Sequence, residues 1–173
     1  MHLDRVTNVV IAGLGGQGVL KASDILADAA FRTGLDVKKS EIHGMSQRGG
    51  SVASDVRFGK EVFSPMVPPG QAHFLLVLAP DQVDNNRHLL RPGGVLVAPG
   101  LIDENQLENK KSLNIALLGA LSHYLPLSED VWLAAVQANL PPKLHELNIR
   151  AFRIGRAAAA SAAARTSAGG DQP

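Results

Sequence analysis

Val9-Val10-Ile11-Ala12-Gly13-Leu14-Gly15-Gly16-Gln17-Gly18 is the stretch whose reading decides the fold. Four apolar residues meet a glycine turn, and a helix-forming segment, residues 19–31, follows at once. An apolar run bounded by glycine reads as a buried parallel strand. The order is therefore strand, tight turn, helix. Glycines at 13, 15 and 18 fit the dinucleotide spacing G-x-G-x-x-G. Gly13 permits the sharp turn, Gly15 lets another group approach the backbone, and Gly18 permits close helix–strand packing. Free amides at the helix start favour an anion. The same glycines also suffice to make a compact turn with no ligand, so the motif alone names no nucleotide.

Outward from this unit, Leu20, Ile25, Leu26 and Ala29 form one apolar side of the first helix, which Gly34 stops. Residues 35–41 alternate and read as a half-buried second strand near an edge. Residues 52–58 alternate too, and with Gly59-Lys60 as the turn and residues 61–64 as the return they predict a β-hairpin. Residues 73–78 form another buried strand, 79–90 a helix with Pro80 in its first turn, and 95–98 a further strand. Residues 99–112 are polar and weakly patterned. Helices are expected over 113–124, from Ser128 to about 140, and from 143 to about 165. The expected architecture is one Rossmann-like α/β domain over residues 1–165. It has a mainly parallel sheet, a β-hairpin insertion and a helical C-terminal part, followed by a disordered tail at 166–173.

Composition narrows the function. The 173 residues include 17 basic and 16 acidic side chains, a net charge of +1, which gives no electrostatic case for nucleic-acid binding. No run is long and apolar enough for a membrane span, and the first residues lack a signal-peptide core, so a cytoplasmic protein is expected. The absence of cysteine excludes disulfides, a cysteine nucleophile and thiolate-ligated iron–sulfur clusters on this chain.

The loop Glu41-Ile42-His43-Gly44-Met45-Ser46-Gln47-Arg48-Gly49-Gly50-Ser51 is the most unusual stretch. Right-handed crossovers put the carboxyl ends of strands one and two on one edge of a sheet, so this loop and the glycine turn are expected to be neighbours. In one reading Arg48 and the turn amides bind an anion, Glu41 positions it, and His43 or Gln47 donates a hydrogen bond. In the other, Glu41 pairs with Arg48 while His43 and Gln47 satisfy loop carbonyls. Residue by residue the structural reading is at least as strong; for the loop as a whole a contact surface is favoured. Glu41 also stands near the position of the ribose-binding acid of a dinucleotide fold. That keeps open a free-standing dinucleotide- or coenzyme A-binding protein, and a purely structural adaptor is the third possibility. His2, His73, His88, His123 and His145 have no metal-ligand spacing, so no metal site is expected.

Gly13-Leu14-Gly15-Gly16-Gln17-Gly18-Val19 followed by Ser40 to Val52 resembles the gamma domain of the thiamine-diphosphate-dependent 2-oxoacid:ferredoxin oxidoreductases. The likeness is strongest to small subunits of the indolepyruvate branch. Asn114, Leu118-Gly119-Ala120 and residues 147–155 are similar to later family segments, so the resemblance spans about residues 7 to 156. It implies a subunit that is inactive alone. Thiamine diphosphate, Mg and iron–sulfur clusters would sit in a large partner subunit, where an aryl pyruvate such as indolepyruvate is decarboxylated. Electrons would pass to ferredoxin or another acceptor, and coenzyme A is a candidate acyl acceptor. The resemblance also implies a hetero-oligomer. Within it, Gly13, Gly15, Gly16, Gln17, Gly18, Glu41, His43, Gly44, Met45, Gln47, Arg48, Gly49 and Gly50 would face the assembly and its cofactors, with no catalytic or metal-binding residue on this chain. Two features depart from the pattern: His73 stands where the family commonly has an acid, and residues 98–113 are short for a further strand.

Overall fold

A computed structural model describes residues 5–43 and 49–168. Its five strands are β1 (Thr7–Leu14), β2 (Asp36–His43), β3 (Ser51–Gly59), β4 (Ala72–Val77) and β5 (Leu90–Val97), in the order β2-β3-β1-β4-β5. Helix α1 (Val19–Arg32) follows β1; α2 (Val83–Asn86) is one turn; α3 (Leu113–Ser122), α4 (Glu129–Asn139) and α5 (His145–Ala168) complete the chain. The sheet is mainly parallel, as expected: β1 pairs with β4 and β4 with β5 in parallel, and only β3 runs the other way. Strand β1 is central, which is why Val9, Val10, Ile11 and Ala12 are buried on both faces. Strand β2 lies at an edge, in keeping with its half-apolar alternation.

The hairpin expected over residues 52–64 does not form. Strand β3 pairs with β2 and β1, not with residues 61–64. Alternation identifies a strand but is silent about its neighbour. Residues 62–67 instead fold back over the polar side chains of β2 and β3. Asp36 accepts the Val62 amide at 2.8 Å, Arg57 donates to the Ser64 and Met66 carbonyls at 2.8 and 3.2 Å, and Asp55 accepts the Val67 amide at 2.8 Å. Burial raises the Asp55 pKa, against the pull of that amide and of Arg57.

Further differences follow from local chemistry. The helix expected over 79–90 is a broken series of short turns, with Pro80–Gln82 and Arg87–Leu89 as 3-10 turns around α2. Residues 99–112 hold three more 3-10 turns and no strand, so the sheet ends at β5. Leu20, expected to be buried, is half-exposed at the start of α1. Ser128 occupies the N-cap position of α4 but makes no side-chain cap bond. Helix α5 continues through Ala168, three residues into the stretch expected to be a disordered tail. His73, the departure noted above, accepts the Asn8 amide through Nδ1 at 3.0 Å. Burial and the nearby Arg91 hold its imidazole below the usual range, the neutral state that accepting this bond requires.

One face of the sheet carries the main core. Val9, Ile11, Val56, Phe58, Phe74 and Leu76 pack there with Ile25 and Leu26 of α1, Leu117, Leu118 and Leu121 of α3, and Trp132 and Phe152 of α4 and α5. Helices α3 and α5 touch backbone to backbone. A Cβ on Gly119 would overlap the Phe152 carbonyl, and one on Gly155 the Ala116 carbonyl. On the other face Val10, Leu75 and Val77 are covered by Val67, Val83, Leu89 and Leu90.

Two outcomes follow. Gly119→Ala forces α3 and α5 apart and is expected to cost about 3 kcal/mol or more by urea denaturation; a loss below about 1 kcal/mol contradicts the close packing. The raised Asp55 pKa means its contribution is fully present below the unfolded value near 3.8 and is lost as pH rises. Asp55→Asn is therefore expected to gain stability relative to the wild type as pH rises above about 4. Parallel pH profiles for the two proteins contradict the shift.

Candidate functional site

The carboxyl ends of β1, β2 and β4 share one rim with the start of β3. At that rim β1 runs into the glycine turn. Gln17 donates its amide to the Leu14 carbonyl at 3.1 Å, and the Gln17 side-chain Oε1 accepts the Leu14 amide at 2.8 Å. Gly16 and Gly18 hold φ of 88° and 84°, the left-handed region that favours glycine. Helix α1 then starts without a side-chain cap. Asn114 of α3 reaches across with Nδ2 to the Gly18 carbonyl at 3.4 Å, and a Cβ on Gly18 would collide with it.

The expected meeting of two remote loops occurs at the root of the second one. Gly15 donates its amide to the Gly50 carbonyl at 2.9 Å, and the space a Gly15 Cβ would fill lies 3.4 Å from the Gly49 nitrogen. Ser51 Oγ donates to Gln82 Oε1 at 2.9 Å, tying the first residue of β3 to the turns after β4. Gly49, Gly50, Gly13, Gly15, Gly16, Gln17 and Gly18 are thus gathered on one rim. His43 ends β2 opposite Val52. Gly44, Met45, Gln47 and Arg48 lie outside the described residues.

Glu41 is placed differently. Strand β3 separates β2 from β1, so the Glu41 backbone lies two strand spacings, about 10 Å, from the strand that carries the turn. Its carboxylate accepts from Lys39 Nζ at 2.7 Å, and Lys39 also bridges to Asp24 of α1 at 2.5 Å. Burial works to lower the Lys39 pKa, but the two carboxylates outweigh it and hold the ammonium above its usual value. Glu41 belongs to an ion-pair cluster pinning β2 to α1. It does not stand beside the glycine turn as a ribose-binding acid must.

Two clefts flank Gly16. One, of about 450 Å³, is bounded by Leu14, Gly15, Gly18, Val19, Leu20, Lys21 and Val52. The other, of about 470 Å³, is bounded by Gln17, Leu78, Lys110, Lys111, Leu113 and Asn114. Among the described residues the second lining holds two ammonium groups and no carboxylate, a charge pattern that suits an anionic group. Sequence reasoning missed Lys110 and Lys111, which stand in a weakly patterned stretch remote from the turn. The adjacent Asn114, which the resemblance singled out, was the available pointer. No helix of the described residues is long and apolar enough to cross a membrane.

Comparison with known proteins gives a consistent picture. The family model described as pyruvate ferredoxin/flavodoxin oxidoreductase matches residues 8–105, more than half of the chain. The indolepyruvate oxidoreductase subunit IorB of Thermococcus kodakarensis is 34% identical over 192 residues, which covers 88% of this chain and 95% of that one. The 2-oxoglutarate synthase subunit KorC of Archaeoglobus fulgidus is 30% identical over 169 residues, covering 88% of each. The crystal structure of a keto/oxoacid ferredoxin oxidoreductase gamma subunit from Geobacter sulfurreducens superposes with a TM-score of 0.78 at 26% identity, covering 91% of this chain and 98% of that one.

The rim geometry separates two neighbouring glycines. Gly16→Ala meets no neighbour, so it is expected to cost only the left-handed φ, about 1–2 kcal/mol. Gly15→Val drives its side chain into Gly49 and Gly50 and is expected to speed amide exchange at Gly15 and Ser51, which Gly16→Ala leaves nearly unchanged. Equal exchange in the two variants contradicts the contact.

Proposed function

The chain belongs to the pyruvate ferredoxin/flavodoxin oxidoreductase family, and on that premise we propose that it is the non-catalytic small subunit of a 2-oxoacid:acceptor oxidoreductase, docking through its glycine rim onto a large catalytic subunit. The observation that carries this reading is the use made of Gly15. In a dinucleotide fold the open backbone at that glycine receives a pyrophosphate. Here the chain's own Gly49–Gly50 backbone takes the approach to Gly15, and the turn serves as the anchor of a loop. With β3 between the strand that carries Glu41 and the strand that carries the turn, the free-standing dinucleotide reading has less geometric support.

The large subunit would hold thiamine diphosphate with Mg and the iron–sulfur clusters; a chain without cysteine offers no thiolate ligands of its own. The bound thiamine would supply decarboxylation of the 2-oxoacid, and electrons would leave toward ferredoxin or another acceptor. An aryl pyruvate such as indolepyruvate is the proposed substrate, on the strength of the indolepyruvate-type relative. This chain contributes the rim, the two tethers at Gly50 and Ser51 that set the loop root, and the Lys110/Lys111 cleft. The cleft fits the phosphates of coenzyme A as acyl acceptor, since two lysines line it beside the exposed Gly16 and Gln17. The protein would work in the cytoplasm as part of a hetero-oligomer.

The test is reconstitution. With a large thiamine- and cluster-bearing subunit present, indolepyruvate-dependent reduction of ferredoxin is expected; the chain alone is expected to have none. Turnover by the isolated chain, or failure of the two to associate, overturns the reading. Lys110→Ala with Lys111→Ala is expected to raise the KM for coenzyme A about tenfold while leaving subunit association intact. An unchanged KM removes coenzyme A from the cleft.

A further inference from the structure

Strand β1 ends with a backbone problem. Ala12, on the β4 side, accepts the Leu78 amide at 2.8 Å, and residues of the same parity face the same neighbour. Leu14 therefore points its amide to the β4 side, but β4 has ended at Val77 and the chain turns away at Pro80. The amide is left without a strand partner. Gln17 supplies one, its Oε1 accepting from Leu14 at 2.8 Å. The oxygen fits there because residue 13 is glycine: a Cβ on Gly13 would lie 2.8 Å from it, and 3.1 Å from both the Leu78 and Val19 side chains.

We propose that Gln17 is a positioning residue, a latch that fixes the turn in the geometry in which Gly15 can hold the Gly50 carbonyl. Gly13 provides the slot, Gln17 the acceptor and Gly15 the open backbone, so three residues of the motif act as one device. The latch fixes Leu14, the residue directly before Gly15, and thereby the direction of the Gly15 amide. The inference deepens the docking reading and rests on it for its functional consequence, since a loosened turn presents the rim in many geometries and binding must then pay to select one.

Three variants of the full chain test it: Gln17→Leu, which removes the acceptor; Gln17→Glu, which keeps one at the same reach; and Gly13→Ala, which blocks the slot. Amide exchange at Leu14 and Gly15 is read by NMR, and affinity for the large subunit by titration. Gln17 is exposed, so Gln17→Leu is expected to melt cooperatively like the wild type. It is expected to speed exchange at both amides about tenfold and to weaken association by a similar factor. Gln17→Glu restores both, a rescue that loss of surface packing would not produce. Gly13→Ala combined with Gln17→Leu is expected to be no worse in exchange than Gly13→Ala alone. Wild-type exchange at Gly15 in Gln17→Leu, or failure of Gln17→Glu to rescue it, overturns the latch. Faster exchange with unchanged affinity leaves the latch standing and overturns the docking reading instead.

Discussion

The bond from the Gly15 amide to the Gly50 carbonyl is the constraint on which the rest of the structure hangs. It requires β3 to begin beside the end of β1, which requires β3 to insert between β1 and β2 against the direction of both. Once β3 is there, β2 becomes an edge strand. Its backbone is held on one side only, and Lys39, paired with Asp24 and Glu41, supplies the second hold by tying it to α1. The residue that looked like a ligand-binding acid is thereby drawn into a structural cluster. The glycine turn, tied to the root of the second loop, becomes part of a rim shared by three strand ends.

The other end of these strands is built by different means toward the same purpose. Arg57 and Asp55 of β3 and Asp36 of β2 each hold backbone groups of residues 62–67, and Asn8 accepts from Arg57 while donating to the Gln71 carbonyl. This network closes one end of the second sheet face without a helix. The first face has helices in plenty, and α3 and α5 approach closely enough that glycines 119 and 155 leave no room for a methyl group. The sheet is therefore closely packed at its centre, and its rim is formed by strand ends as well as by the loop root.

Much of this was legible in the residues. Strand β1, the glycine turn and α1 follow from an apolar run, glycine spacing and helical periodicity, all local signals. The C-terminal helices follow from their apolar periodicity and from proline at 126, 141 and 142. What local signals do not encode is partnership. The alternation of Val52, Ser54, Val56 and Phe58 marks a strand, but the segment after Gly59-Lys60 looked like its mate because Val62 and Phe63 are β-formers. The real mates are β1 and β2, chosen by side chains far apart in sequence. Asp55 and Arg57 stand on the second face of that alternation, which says nothing of residues 62–67 being laid across them. Lys110 and Lys111 acquire meaning only when α3 brings them beside Gly16, and periodicity has nothing to say about that meeting. The resemblance to a known family supplied what pattern alone lacked, because it carried the assignment to a subunit of a larger enzyme, while the strand pattern had already set the two loops side by side.

The account stands on the claim that this rim is covered by the catalytic subunit. The most direct measurement is hydrogen exchange by mass spectrometry on the chain alone and in its complex with that subunit. The account predicts strong protection on complex formation in the peptides spanning residues 13–18 and 49–51, with residues 62–67, at the end of the strands away from the rim, changing little. Unchanged exchange at the rim, with protection confined to residues 62–67 or to the far end of α5, would contradict it.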